Sequence, residues 1–217
     1  MRTLHQHQLD SLHTERIERK FMMSQGQSHN ALAILLNFGF SPSYPNRRVT
    51  SLYFDDIEFS SLAANIEGVP SRDKLRARYY DDLPGNVTIE IKHRRSHLGF
   101  KSSYPMKHKA EIMEQLVSTV ENWCHNNVVE KLFPTAHVRY ERSYYVHEQF
   151  RLTLDQKICS GRWSGGEELS SSLCEYEVIE FKYPLNLDQD FRLIFPYIDK
   201  FSLRNTKSSK YSNALMW

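Results

Sequence analysis

The segments Asp73-Lys-Leu-Arg-Ala-Arg-Tyr-Tyr80 and Val87-Thr-Ile-Glu-Ile-Lys92, separated by a turn at Pro84-Gly85-Asn86, decide the reading of the fold. Both alternate with a period of two, as β-strands do, because successive side chains of a strand point to opposite faces. Lys74, Arg76 and Arg78 therefore share one face, and Leu75, Ala77 and Tyr79 the other. In the second strand Glu90 and Lys92 oppose Val87, Ile89 and Ile91, and after a loop at Arg94–Leu98 a further short strand begins at Lys101. A hairpin with one apolar face is ordinary; a face carrying this many cations is not.

The pattern recurs in both directions along the chain. Upstream, Arg16-Ile-Glu-Arg-Lys-Phe-Met22 sets Arg16, Glu18 and Lys20 against Ile17, Arg19 and Phe21, and Arg48–Asp55 is a second strand whose Ser51, Tyr53 and Asp55 share a polar face. Downstream, Ala136–Val146 and Phe150–Ile158 form a hairpin around His147-Glu148-Gln149, with Arg142 on one strand and Arg151, Thr153 and Asp155 on one face of the other. In Cys174–Tyr183, Glu180 and Lys182 oppose Ile179 and Phe181. Apolar residues at helical spacing predict helices over Ser28–Phe38, ended by Gly39, and over Phe59–Ile66, stopped near Gly68 and Pro70. The clearest helix spans 108–127, where Ile112, Leu116, Val120 and Cys124 make a stripe suited to covering a sheet. Ser160–Ser172 reads as a Gly/Ser-rich loop, and Lys207 and Lys210 would share one side of a helical turn. With no repeat and no linker, residues 15–217 read as a single domain behind a polar N-terminal arm, 1–14, whose His5, His7 and His13 read as solvated.

Bulk properties exclude several classes. Aromatic residues make up 12% of the 217, which argues for a packed core rather than disorder. The net charge is only +2, so no nucleic-acid partner is expected, and any basic site must be local. Cys124, Cys159 and Cys174 are odd in number and lack CxxC spacing, which fits a reducing, cytoplasmic location better than a disulfide framework or a zinc site. No apolar run approaches the length of a membrane span, and no signal peptide is visible.

Sorted by face, about eight strands joined by short turns give a mainly antiparallel sheet in an α+β fold. One face collects Glu18, Lys20, Arg76, Arg78, Glu90, Lys92, Lys101, Arg142, Arg151, Asp155, Glu180 and Lys182. In an open sheet that face would meet bulk solvent. A solvated face has no special need of arginine, however, and the recurrence points to a closed, eight-stranded β-tunnel with a polar, basic lumen and helices packed outside. About eight strands enclose room for side chains and a slim ligand. Such a lumen needs water, internal ion pairs and an anionic guest, because unpaired buried charge is costly. Arginine forks grip phosphate oxygens, lysines add point charge, and carboxylates suit Mg²⁺ or Mn²⁺.

In order along the chain, Glu18-Arg-Lys20, Ser51-Leu-Tyr-Phe-Asp55, Lys74-Leu-Arg-Ala-Arg-Tyr79, Glu90-Ile-Lys92, Arg139-Tyr-Glu-Arg142, Arg151-Leu-Thr-Leu-Asp155, Glu177-Val-Ile-Glu-Phe-Lys-Tyr-Pro184 and Lys207-Ser-Ser-Lys-Tyr211 resemble the successive motifs of the VTC domain. This is the polyphosphate polymerase domain of vacuolar transporter chaperone proteins, within the triphosphate tunnel metalloenzymes that also include the CYTH phosphatases. The resemblance implies phosphate binding by Lys20, Arg76, Arg78, Lys92, Lys101, Arg142, Arg151, Lys207 and Lys210, and a Mn²⁺ or Mg²⁺ ion on Glu180, with Glu18 and Glu90 as further ligands. Lys182 and Asp155 would complete the lumen. Arg16 stands where the wider superfamily's Glu-x-Glu-x-Lys signature has its first glutamate, which counts against a second metal site and plain triphosphatase chemistry. The implied function is metal-dependent phosphoryl transfer on nucleoside triphosphate, tripolyphosphate or polyphosphate, with polyphosphate synthesis first. A triphosphatase and a non-catalytic polyanion-binding module are the alternatives. Coupling synthesis to translocation would require a membrane partner.

Overall fold

A computed structural model describes residues 16–83, 85–96, 98–106, 110–128, 131–165, 172–199 and 209–216. The elements run β1 (Arg16–Met23), α1 (Gln25–Asn37), β2 (Ser41–Asp55), α2 (Ser60–Ile66), β3 (Ser71–Tyr80), β4 (Thr88–Arg95), β5 (Leu98–Pro105), α3 (Met113–Asn127), β6 (Phe133–His147), β7 (Phe150–Arg162), β8 (Ser172–Leu173), β9 (Glu177–Pro184), a 3₁₀ turn, α4 (Asp188–Asp199) and α5 (Lys210–Met216). Every strand pairing is antiparallel, in the order β1-β9-β7-β6-β2-β3-β4-β5, with the two-residue β8 on β7.

Local chemistry sets the helix boundaries. Ser24 opens α1 with a capping box, its backbone N–H donating to Gln27 Oε1 at 2.9 Å while Ser24 Oγ accepts from the Gln27 N–H. Gly39 ends the helix at φ 113°, a backbone state that favours glycine, and a Cβ there would also press on the His147 ring at 3.1 Å. Asp55 and Asp56 close β2 and accept the N–H groups of Ser60, Ser61 and Leu62, which starts α2.

The outer face of the sheet is apolar and is covered by α1, α4 and α3. Phe21, Leu152, Leu154, Ile179 and Phe181 pack under α1 and α4, with Phe191 stacked on Tyr183 at 4.8 Å between ring centroids. Leu52, Leu75, Ala77 and Ile89 pack under Leu116, Val120 and Cys124 of α3. The third apolar core lies on the opposite face. There Val49, Tyr53, Ala136, Val138, Tyr140, Ile158 and Val178 surround Tyr211, Ala214 and Leu215 of α5, with Phe59 and Leu62 of the α2 region alongside. The expectation that all helices pack outside the sheet is therefore corrected: α5 lies on the inner face. Most side chains at that end of the inner face are apolar or aromatic, and α5 covers them.

The inner face curls. Lys92 Nζ on β4 lies 3.7 Å from Glu18 Oε1 on β1, although these strands stand at nearly opposite ends of the sheet order. The antiparallel sheet of the expected barrel is present, and among the described residues no hydrogen-bonded ladder joins β1 to β5. The eight residues of β5 pair along their whole length with β4, and β1 pairs with β9; β1 and β4 approach each other through the Glu18 and Lys92 side chains.

Candidate active site

Register settles which side chains face one another, because directly paired residues of neighbouring strands lie on the same face. On the β1 side Lys20 pairs with Glu180 and Glu18 with Lys182. Thr153 pairs with Glu180 and Arg151 with Lys182. Arg142 pairs with Asp155 across β6 and β7, and with Arg47 across β6 and β2. Ser51 pairs with Arg78 and Tyr53 with Arg76, and these lead through Glu90 to Ser103 and through Lys74–Lys92 to Lys101. The twelve residues assigned to one face by alternation thus occupy the inner face. Lys210 joins them from α5, while Lys207 lies outside the described residues.

Three ion networks hold this face in shape. Glu90 accepts from Arg76 Nε at 2.8 Å and Lys101 Nζ at 2.5 Å, with Arg78 3.7 Å away. Burial would raise its carboxyl, but Arg76, Arg78 and Lys101 bring it down to about 2. Asp155, fully buried, receives a two-pronged Arg142 at 2.6 and 2.8 Å and Lys210 at 2.5 Å, and is likewise held at about 2 against the effect of burial. Arg78 also donates to Ser51 Oγ and Tyr140 Oη, and Arg76 to Tyr53 Oη at 3.3 Å. The motif arginines are therefore locked in place before any ligand arrives, which lowers the entropy cost of gripping an anion.

The third network holds the candidate metal ligands. Glu180 is buried, bonded to Lys182 at 2.9 Å, and its carboxyl lies within hydrogen-bond reach of Glu18, which pairs with Lys20 at 2.6 Å. Burial opposes ionisation of Glu180, yet Lys20 and Lys182 hold it well below the usual carboxylate range. Two carboxyls in contact need a cation or a proton between them. Lysines fill that role here, and a hard divalent ion would suit the same oxygens. Among the described residues no group of three or more His, Cys, Asp or Glu side chains gathers, so such an ion would take its remaining ligands from water and phosphate. Glu90, paired with three cations, is poorly placed to join Glu18 and Glu180.

Alternation puts Lys74 on this face, although the family resemblance assigns it no role. Its ammonium donates to Ser209 Oγ at 3.0 Å and pairs with no carboxylate among the described residues. Burial, then Lys92, Arg72, Lys20 and Arg76, bring it down to about 7. The absence of an acid in Asp73–Tyr80 facing Lys74 was a usable signal. Arg47 and Tyr44 were missed because Pro42 and Pro45 obscure the start of β2, where two register shifts break the alternation. Tyr53, though assigned to the polar face, belongs mainly to the α5 core.

Comparison with known families places a model of the VTC domain over residues 3–216. The chain belongs to the VTC domain family. Comparison with curated proteins finds no match. Similar solved structures include a putative adenylate cyclase from Vibrio parahaemolyticus, at 13% identity, covering 91% of this chain and 97% of that one with a TM-score of 0.54. A putative adenylyl cyclase, HpAC1, from Hippeastrum, described as having a dominant triphosphatase activity, is 14% identical, with 91% and 93% coverage and a TM-score of 0.56. A putative adenylate cyclase from Bacillus halodurans is 16% identical, with 89% and 93% coverage and a TM-score of 0.54. At these identities the likeness is one of fold. Among the described residues no helix of this VTC domain is long and apolar enough to cross a membrane.

Proposed function

We propose that this VTC domain binds a nucleoside triphosphate or a phosphate chain along its curled basic face and transfers a phosphoryl group, making polyphosphate. The observation that carries the reading is charge imbalance in a confined space. Among the described residues, Lys20, Lys74, Arg76, Arg78, Lys92, Lys101, Arg142, Arg151, Lys182 and Lys210 line the polar part of the face, where the carboxylates are those of Glu18, Glu90, Asp155 and Glu180. An extended polyanion would neutralise the excess, and the bound chain would complete the tunnel by bridging the β1 side to the β4–β5 side.

In this reading Arg76, Arg78 and Arg142, already fixed by Tyr53, Ser51, Tyr140, Glu90 and Asp155, grip phosphate oxygens without moving. Phosphoryl transfer asks a protein mainly for such positioning and for charge placed where the transferred group carries it. Lys92 and Lys101, each about half-exposed, follow the chain's other end. Glu180 and Glu18 would hold Mn²⁺ or Mg²⁺, which when bound neutralises charge on the transferred phosphoryl group. With the α5 end covered, chain and acceptor share the open end. A phosphate-chain acceptor gives polyphosphate. Water as acceptor gives a triphosphatase, the reading favoured by the activity described for HpAC1, which has the same fold.

The test incubates wild type and Glu180→Gln with ATP and Mn²⁺ or Mg²⁺ and resolves products on a gel that separates free phosphate from long chains. Long chains are expected from wild type, with a loss of at least 100-fold in Glu180→Gln, since each ~1.36 kcal/mol of transition-state stabilisation is tenfold in rate. Free phosphate alone would make the enzyme a triphosphatase. No turnover with either metal would leave a polyanion-binding module, and equal turnover in Glu180→Gln would refute the metal assignment.

A further inference from the structure

Three neighbouring strands end the polar part of the inner face in the same way. β3 and β6 both run antiparallel to β2, so they point in one direction. In that direction β3 carries Arg78 and then Tyr80, and β6 carries Arg142 and then Tyr144. β2 runs the other way and carries Tyr44 before Arg47, so its tyrosine falls at the same end. Each Tyr of β3 and β6 lies two residues beyond its Arg, about 7 Å along the strand. A rim of tyrosine therefore stands beyond a row of arginine, at the end opposite α5.

The rim is a defined cluster. The Arg47 guanidinium sits 4.4 Å from the Tyr44 ring centroid and 5.0 Å from that of Tyr80, and it donates to Tyr44 Oη. Tyr44 meets Tyr144 edge to face, with centroids 5.5 Å apart at 75°. Tyr144 pairs with Tyr44 across β2 and β6, next to the Arg47–Arg142 pair; burial raises its hydroxyl, while Arg142 and Arg47 pull it down. Scattered surface aromatics are normal and need no explanation. These three differ because none belongs to an apolar core, while Tyr44 and Tyr80 remain 48% and 38% exposed.

We propose that Tyr44, Arg47, Tyr80 and Tyr144 form a seat for the nucleobase of a nucleoside triphosphate whose phosphates lie on the arginine row. This rests on the proposed function and sharpens it, since inorganic triphosphate has no use for the seat. Every base offers a π-face, so stacking on tyrosine rings and a flat guanidinium accepts any base and holds it without hydrogen-bond readout. The order of the parts matches the ligand: rings outermost, then Arg47, Arg78 and Arg142, then the carboxylates and lysines deeper in.

Titration calorimetry without metal, using ATP and tripolyphosphate on wild type, Tyr44→Leu, Tyr80→Leu and Tyr44→Phe, tests the seat. Tyr44→Leu and Tyr80→Leu should weaken ATP binding by about 5- to 150-fold, the loss typical for removal of a base-stacking ring. Tripolyphosphate affinity should stay unchanged, and Tyr44→Phe should behave as wild type. If ATP and tripolyphosphate weaken together, the tyrosines only shape the site, and the inference is overturned. If neither variant changes ATP binding, it is likewise overturned while the phosphate reading stands. If wild type binds neither ligand, both fall.

Discussion

Replacing Asp155 with Asn should destabilise the free protein and make it depend on ligand. Asp155 is fully buried, clamped by Arg142 at 2.6 and 2.8 Å and by Lys210 at 2.5 Å. Its carboxyl falls from an ordinary 3.8 to about 2. At ~1.36 kcal/mol per pKa unit this is about 2 kcal/mol of stability. The folded-state value is the lower one, so the contribution is present above about pH 4 and is lost as pH falls through about 2. The amide does more than remove that term: it leaves two cations without their counter-charge, and breaking a buried pair costs about 3–5 kcal/mol. A loss near 3 kcal/mol is expected, or roughly 6–12 °C in Tm at about 2–4 °C per kcal/mol for a chain of this size. Tripolyphosphate should then raise the Tm of Asp155→Asn more than that of wild type, because the ligand supplies the missing anion. Urea unfolding and thermal melts with and without tripolyphosphate measure both effects. A variant within about 2 °C of wild type, or one with no larger ligand shift, would refute the view of Asp155 as stand-in anion.

Two further expectations come from the same face. Lys74 titrates near 7 in the folded protein and near 10.5 when unfolded, so the folded form lacks a proton that the unfolded chain holds between those values. Stability of the free protein from this group therefore rises as pH climbs through 7 towards 10.5. A bound polyanion favours the charged ammonium, so at pH 8 tripolyphosphate binding should take up a proton. This would appear as calorimetric heats that differ between buffers of different ionisation enthalpy and converge in Lys74→Met; no difference in wild type would contradict it. Glu90→Gln should tighten tripolyphosphate binding severalfold, by freeing Arg76 and Lys101, while lowering Tm. Abolished metal-dependent turnover with unchanged binding would instead make Glu90 a metal ligand.

Much of the site was legible because strands report their faces. A period of two puts Arg76 beside Arg78, and the pairing of Lys20 with Glu180 only had to match parity with parity. Alternation shows which face, but not how far along it the polar part runs. Val49, Ala136, Val138 and Val178 have the same parity as the arginines, and α5 covers them because seven short-range residues near the end of the chain carry Tyr211, Ala214 and Leu215. Asp55 shares the parity of the polar face too, but it holds α2 and Tyr211, with Tyr211 Oη at 2.5 Å. Helix α4 went unread: Pro196 inside it and its polar first turn masked the Phe191 and Ile194 stripe. Ring closure is a long-range property that no local pattern encodes.

The measurement that bears most directly on the basic face is titration of tripolyphosphate into wild type and Arg78→Ala at two salt concentrations. Arg78 is almost fully buried, bonded to Ser51 and Tyr140, and aimed at the space shared by Arg76 and Arg142. Saturable binding is expected in wild type, weaker at higher salt because exposed lysines such as Lys92 and Lys101 contribute screened charge. Arg78→Ala should cost about 1.5–3 kcal/mol, the range for hydrogen bonds to charged groups, or roughly 10- to 150-fold in Kd. Saturable, salt-sensitive binding that is lost to this extent supports a phosphate-chain site on the curled face. No saturable binding in wild type at millimolar tripolyphosphate, or an Arg78→Ala protein that is folded and binds as wild type does, would contradict it.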